Sequence, residues 1–283
     1  MRLGTFDGGG GRRPCAVVGQ ELVDLAAAAP SLPATTEEIL ALGADGSAAV
    51  QDAIESGRGR SPLARARLAA PVLPRKYFAV GLNYADHAAE ANREVPAHPT
   101  VFAKMANAVT GPYDDVLKPA ISDQVDYEGE LAIVIGRRGR YVSREEAPSI
   151  VGGFTIANDV TVRDWQRRTA QWILGKSFDT HGPLGPWIVT PDELDPHAVP
   201  FRTLVNGEVR QESSTSELIF DCWTLIEEIS TACTLEPGDV IATGTCAGVG
   251  AFMEPRGYVG VGDVMRVEFD GIGAIENRVV AER

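Results

Sequence analysis

The stretch Val125 to Gly136, VDYEGELAIVIG, is apolar enough to be a buried strand except at Glu128 and Glu130, two residues apart. Strand side chains alternate faces with period two, so these carboxylates share one side of the sheet. Like charges held that close repel unless water bathes the face or something positive sits on it. The spacing fits either a solvated edge strand or a pair of oxygen ligands for a cation.

A third acid bears on that choice. Asp159 ends the apolar run GGFTIANDV, where it breaks into the polar TVRDWQRR, and strand ends are where a rigid scaffold delivers side chains to a site. Three carboxylates are hard ligands that leave coordination positions for water and substrate, the usual arrangement around Mg²⁺. Upstream, GLNYADHAAEA follows a short strand, Tyr77 to Val80, and sets His87 and Glu90 three residues apart. On a helical turn these are neighbours. A carboxylate beside an imidazole fixes its tautomer and favours its protonated form, as a general base requires, although such a pair also occurs on solvated helix faces. Arg163, Gln166 and Lys176 follow Asp159, and cationic and amide donors of this kind suit a substrate carboxylate or a developing oxyanion.

The whole chain limits the alternatives. Its 283 residues, 44% apolar and 23% charged, suffice for one large domain or two modest ones. A net charge of −13 argues against a nucleic-acid binder, which needs a basic face, and in favour of small-molecule chemistry. The opening MRLGTFDGGGGRRP has no apolar signal core, and no segment approaches the roughly 18 continuous apolar residues of a membrane span. Four cysteines without a C-x-x-C pair suit a reducing compartment. A soluble cytoplasmic protein is expected.

Residues 1–70 read as short strands (CAVVG, ELVDL) followed by an Ala-rich helix opened by a capping box, Thr35 with Glu38, and stopped near Gly43. RSPLARARLAAPVLPRK reads as a surface connection, placing a boundary between about Ser61 and Pro74. Longer β-branched strands follow, with hairpin signals at Asn206-Gly207 and Asp270-Gly271. Helices are expected after Ser143, capped through Glu146, and over DCWTLIEEISTAC.

Taken in order, GLNYADHAAEA, DYEGELAIVIG, NDVTVRDWQ, GKSFDTHGPLGPW and LEPGDVIATGTCAGVG resemble the fumarylacetoacetate hydrolase family over the final three quarters of the chain. The resemblance implies a mainly β protein with some α structure: a mixed β-sandwich roll over residues 71–283 behind a small N-terminal α/β domain, 1–70. It also implies a homodimer holding one Mg²⁺ or Mn²⁺. The metal ligands fall on Glu128, Glu130 and Asp159, the water-activating pair on His87 and Glu90 in a helical lid, and the oxyanion and carboxylate contacts on Gln166, Lys176, Arg163 and Thr245. A fourth carboxylate found in longer members would lie at Val80, so the three-carboxylate bacterial type is the better comparison. Two positions depart from the pattern: Cys246 replaces a proline in GTCAGVG, and His181 replaces an aromatic residue, read here as a polar surface substitution or a second titratable group.

The expected activity is hydrolysis of a C–C bond in a 2,4-diketo acid, an acylpyruvate or a sugar-derived acid, giving pyruvate or a related 2-oxo acid and a carboxylic acid. Oxaloacetate decarboxylation and 2-hydroxyhepta-2,4-diene-1,7-dioate isomerisation use similar machinery and stand as alternatives. A non-catalytic, metal-bound small-molecule-binding protein is the reading of another class.

Overall fold

A computed structural model describes residues 1–282. Its largest element is a 12-stranded sheet. From one edge the strands run Arg60–Pro62, Glu21–Asp24, Arg12–Val18, Arg2–Asp7, Gly182–Val189, Val151–Asn158, Gly129–Ile135, Val240–Ala242, Tyr77–Gly81 and Thr100–Lys104. Leu68–Ala69 and Val109–Thr110 pair beside this path. A five-stranded sheet, Glu208–Ser214, Pro200–Val205, Val264–Phe269, Gly273–Ala281 and Val116–Lys118, forms the second layer. The protein is mainly β with helices at the periphery, as expected.

The strand Gly129–Ile135 is interior, paired antiparallel to Val151–Asn158 on one side and to Val240–Ala242 on the other. Both its faces are covered, which is why its sequence is almost continuously apolar. Leu131, Ile133 and Ile135 pack with Phe201, Val267 and Phe269 of the second sheet and with Leu225, Ile226 and Ile229 of the helix Cys222–Ala232. Ala132 and Val134 face the other way, against Leu25, Ile39 and Val50 of the first 70 residues. Gly129 lies tight against the second layer: a Cβ there would run into Thr203 Oγ1 and Val267. The glycine between the two glutamates is therefore a packing requirement of the opposite face.

Residues 1–70 contribute strands to the large sheet through Arg2–Asp7, which pairs with Gly182–Val189, and they share a core with the later strands. The expected surface connection is more regular than its composition implied. Arg60–Pro62 and Leu68–Ala69 both enter the sheet, and Ala70 and Val72 are buried. Thr35 caps the helix Thr36–Ala41 as the capping box predicts, and Gly43 separates it from a further helix, Ala44–Glu55.

The helix expected after Ser143 does not form. The reciprocal Ser143–Glu146 hydrogen bonds are made, but only one 3-10 turn, Ala147–Ile150, follows. Pro148, with no N–H to donate, stands in that turn and leads directly into a strand. The Asn206-Gly207 hairpin is present, with φ of 53° and 82°, the left-handed pair a tight turn demands. All four cysteines are free thiols. Among the described residues no helix is long and apolar enough to cross a membrane.

Candidate active site

Glu128 and Glu130 lie on the side of the strand that carries Ala132 and Val134, past the point where apolar residues fill that face. They are 5% and 1% exposed, and Asp159, immediately after the strand Val151–Asn158, is fully buried. Carboxylate oxygens of the three approach within 4.8 Å of one another. Burial inside a sheet excludes the solvated edge strand, so the charge must be balanced by protein or by a bound ion.

Part of the balance is visible. Lys176 Nζ bridges Glu128 Oε2 at 2.5 Å and Asp159 Oδ2 at 2.6 Å, while Lys104 Nζ donates to Asp159 Oδ1 at 2.6 Å. Arg163 pairs with Glu128 Oε1 at 2.7 Å. Burial alone would raise the Glu128 carboxyl, but Arg163 and Lys176, with a further contribution from His87, hold it well below the usual carboxylate range. Glu130 differs. Among the described residues its side chain has no cation within ion-pair distance, and its one hydrogen bond comes from Gly244 N–H at 2.8 Å. Burial, then Asp159 and Glu128, push its carboxyl far up. A buried acid short of positive charge beside two others is a donor set suited to a divalent cation with hard oxygen ligands.

The helix Ala85–Glu90 supplies the second group. His87 Nδ1 lies 3.1 Å from Glu90 Oε2, whose other oxygen accepts Gly248 N–H at 2.9 Å. With Nδ1 engaged, Nε2 is the ring nitrogen left for chemistry. The helix is seated by Asn83, which donates to the carbonyls of Phe220 and Thr243 and accepts from Phe220 N–H. His87, Glu128, Glu130, Gln166, Lys176 and Thr245 line a single cavity of about 550 Å³.

Sequence-based candidates thus converge, but not all are free to touch a substrate. Arg163, which also lines the cavity, spends three of its five N–H groups on protein: Nε donates to Asp126 at 2.8 Å, Nη1 to Gln166 at 3.1 Å, and Nη2 pairs with Glu128. Gln166 spends its carbonyl on Arg163, leaving its amide N–H groups available. Thr245 donates its hydroxyl to Gly129 O at 2.9 Å and accepts from Gln211 at 2.7 Å. Lys176 keeps one ammonium proton beyond its two carboxylates.

Two residues of the site escaped the sequence reading. Lys104, 3% exposed, grips Asp159. Asp126 accepts from Arg163 Nε and from the N–H groups of Gly250 and Ala251, tying the glutamate cluster to the loop that brings Phe252 to the cavity. Its signal lay in the opening stretch, since Asp126, Glu128 and Glu130 continue one period-two series.

Both departures from the family pattern are buried. His181 is not a surface substitution: its Nε2 meets Leu117 O at 2.9 Å, its ring lies beside Phe178, and burial pushes its imidazole down to about 4. It fills an interior site with a ring, as an aromatic residue would. Cys246 points its thiol at Ala247 O, and burial raises it to about 12.

A mainly β fold carrying a buried acidic cluster that could hold a metal ion defines the kind of site, and comparison with known proteins gives the family. Residues 76–280 match the fumarylacetoacetate hydrolase C-terminal family. The chain belongs to that family. It is 44% identical over 266 residues to the mitochondrial oxaloacetate tautomerase FAHD2A of Bos taurus, covering 93% of this chain and 85% of the bovine protein. The solved fumarylacetoacetate hydrolase from psychrophilic Exiguobacterium antarcticum superposes with a TM-score of 0.89 at 39% identity, covering all of both chains. A maleylpyruvate hydrolase from Sphingobium sp. SYK-6, solved with manganese(II) and pyruvate, superposes with a TM-score of 0.85 at 33% identity over all of both chains.

Proposed function

We propose that the protein interconverts the keto and enol forms of oxaloacetate by proton transfer at the carbon next to the 2-oxo group. The observation that carries this reading is one cavity lined both by Glu128 and Glu130 of the three-carboxylate cluster and by an imidazole whose Nδ1 is held by a carboxylate. The identity to a relative named for oxaloacetate tautomerisation supports it and puts C–C hydrolysis second.

A divalent cation, Mg²⁺ or Mn²⁺, held by Glu128, Glu130 and Asp159 would supply Lewis acidity toward the substrate's carboxylate and 2-oxo oxygen. Glu90 keeps the proton on His87 Nδ1, so Nε2 takes the C3 proton; protonation of the resulting enolate oxygen, from Nε2 or from water, gives the enol, and the reverse sequence regenerates the keto form. The remaining Lys176 N–H and the Gln166 amide donate to the oxygen on which negative charge develops. Arg163 and Thr245 act from behind, bracing Glu128 and the Gly129 carbonyl. Arg93 and Arg167, both lining the cavity, offer positive charge to the second carboxylate of a dicarboxylic acid.

The second reading is hydrolysis of a 2,4-dioxo acid, in which His87 Nε2 would take its proton from water. The likeness to a maleylpyruvate hydrolase favours it. Purified protein with Mg²⁺, given oxaloacetate and a 2,4-dioxo acid in parallel, separates the two if enol absorbance, pyruvate and CO₂ are followed independently. Faster keto–enol exchange without matching pyruvate supports tautomerisation. Pyruvate released from the dioxo acid with no effect on exchange transfers the assignment to the hydrolase, and CO₂ from oxaloacetate transfers it to a decarboxylase.

A further inference from the structure

The cavity is larger than a four-carbon acid needs. At about 550 Å³ it lies in the range of sites that take drug-sized ligands, roughly 300–1,000 Å³. Beyond the carboxylates, beside aliphatic and polar side chains and the arginines Arg93 and Arg167, three aromatic rings line it. Lys176 Nζ, on the acidic cluster, sits 4.9 Å from the centre of the Phe102 ring, and Phe102 meets Trp172 edge-on with ring centres 5.4 Å apart. A continuous path therefore leads from the cluster along Lys176 to Phe102 and Trp172. Phe252, edge-on to His87 at 6.0 Å, adds a third ring to the lining.

Gly81 shows how the wall is built. The three atoms nearest a Cβ at this position all belong to the Trp172 ring, the closest at 2.5 Å. Gly81 lacks the positive φ that would itself demand glycine. Its missing side chain is the seat of the indole, and the strand Tyr77–Gly81 carries that seat to the cavity.

We propose that Trp172, seated on Gly81 and backed by Phe102, is a specificity-determining residue that receives a planar or apolar arm of 2-oxo acids longer than oxaloacetate. The inference rests on the metal-assisted 2-oxo acid reading above for the head of the substrate and adds a subsite for its tail. Aromatic faces contribute large apolar contact at little conformational cost, so a flat arm is the chemistry this wall selects.

The test compares two ligands of the Mg²⁺-loaded protein by calorimetry: oxalate, which carries the chelating head alone, and 2,4-dioxo-4-phenylbutanoate, which adds a planar arm. In Trp172→Ala the ratio of the two dissociation constants should move about tenfold against the longer acid, the scale on which apolar pockets discriminate. Gly81→Ala should move it the same way by displacing the ring. Gly81→Ala placed on Trp172→Ala should add no further change, because the two act through one contact. Trp172→Phe should restore part of the discrimination. A ratio unmoved by Trp172→Ala, or independent additive effects at the two positions, overturns the inference while leaving the head-group reading intact. Failure of wild type to bind either ligand overturns both.

Discussion

Glu90 holds His87 from one side and is itself held from the other: Oε2 lies 3.1 Å from Nδ1, and Oε1 accepts the Gly248 N–H at 2.9 Å. The imidazole is thereby fixed to the loop after the strand Val240–Ala242 as well as to its own helix. Removing the ring should cost about 10²- to 10⁴-fold in rate, the usual contribution of a general base. His87→Ala should show that loss while binding of Mn²⁺, followed by calorimetry, stays near wild type. Glu90→Gln should lose less, since the ring remains. Undiminished turnover in His87→Ala would remove His87 from the mechanism.

Glu130→Gln should have opposite effects with and without metal. In the metal-free protein the folded-state carboxyl is raised, so between its unfolded value near 4.5 and its higher folded value the folded state holds the extra proton, and stability falls as pH rises. At neutral pH the amide should therefore melt higher than wild type when no metal is present. Added Mg²⁺ should stabilise wild type, by about 2.7 kcal/mol at a hundred times the dissociation constant, and the variant far less. Equal metal-induced shifts in the two melting curves would exclude Glu130 as a ligand.

His181 sets an acid limit on stability. Its folded value of about 4 lies below the ordinary 6.5, so the unfolded chain binds the proton more readily and stability drops as pH falls from about 6.5 to 4. His181→Phe should flatten that part of the stability profile in denaturant melts. A slope identical to wild type would assign the acid sensitivity elsewhere.

Gly129→Ala should destabilise the protein by roughly 1–3 kcal/mol, the range for overpacking a filled core, through contact with Thr203 and Val267. Because Glu128 and Glu130 flank it, Mn²⁺ affinity should fall as well. A variant as stable as wild type would show that the two layers can part at this point.

What could be read in advance was local. Period-two spacing put Glu128 and Glu130 on one face, a strand end placed Asp159, and helical spacing joined His87 to Glu90. The parts that could not be read depend on distant partners. Lys104 finds Asp159 across 55 residues of sequence, and Arg163 finds Asp126 across 37. No local pattern distinguishes an arginine waiting for substrate from one already engaged by three side chains. The failed helix after Ser143 has a local reason that the capping box concealed, since Pro148, five residues after the cap, has no N–H to give the Arg144 carbonyl as a continuing helix requires. Residues 1–70 differ in composition from the rest, yet composition is blind to the pairing that carries Arg2–Asp7 into the main sheet.

The alternation along Gly129–Ile135 also governs how the chain can misassemble. A slip of one residue against Val151–Asn158 would turn every side chain of the strand to the opposite face. Glu130 would then enter the layer filled by Phe201, Val267 and Phe269, and Leu131 would take the place of Glu130 in the acidic cluster. Ionised carboxylates are among the costliest groups to bury without partners. The two glutamates that build the acidic cluster therefore also proofread the alignment of the central strand: a misregistered molecule loses that cluster and its stability at once.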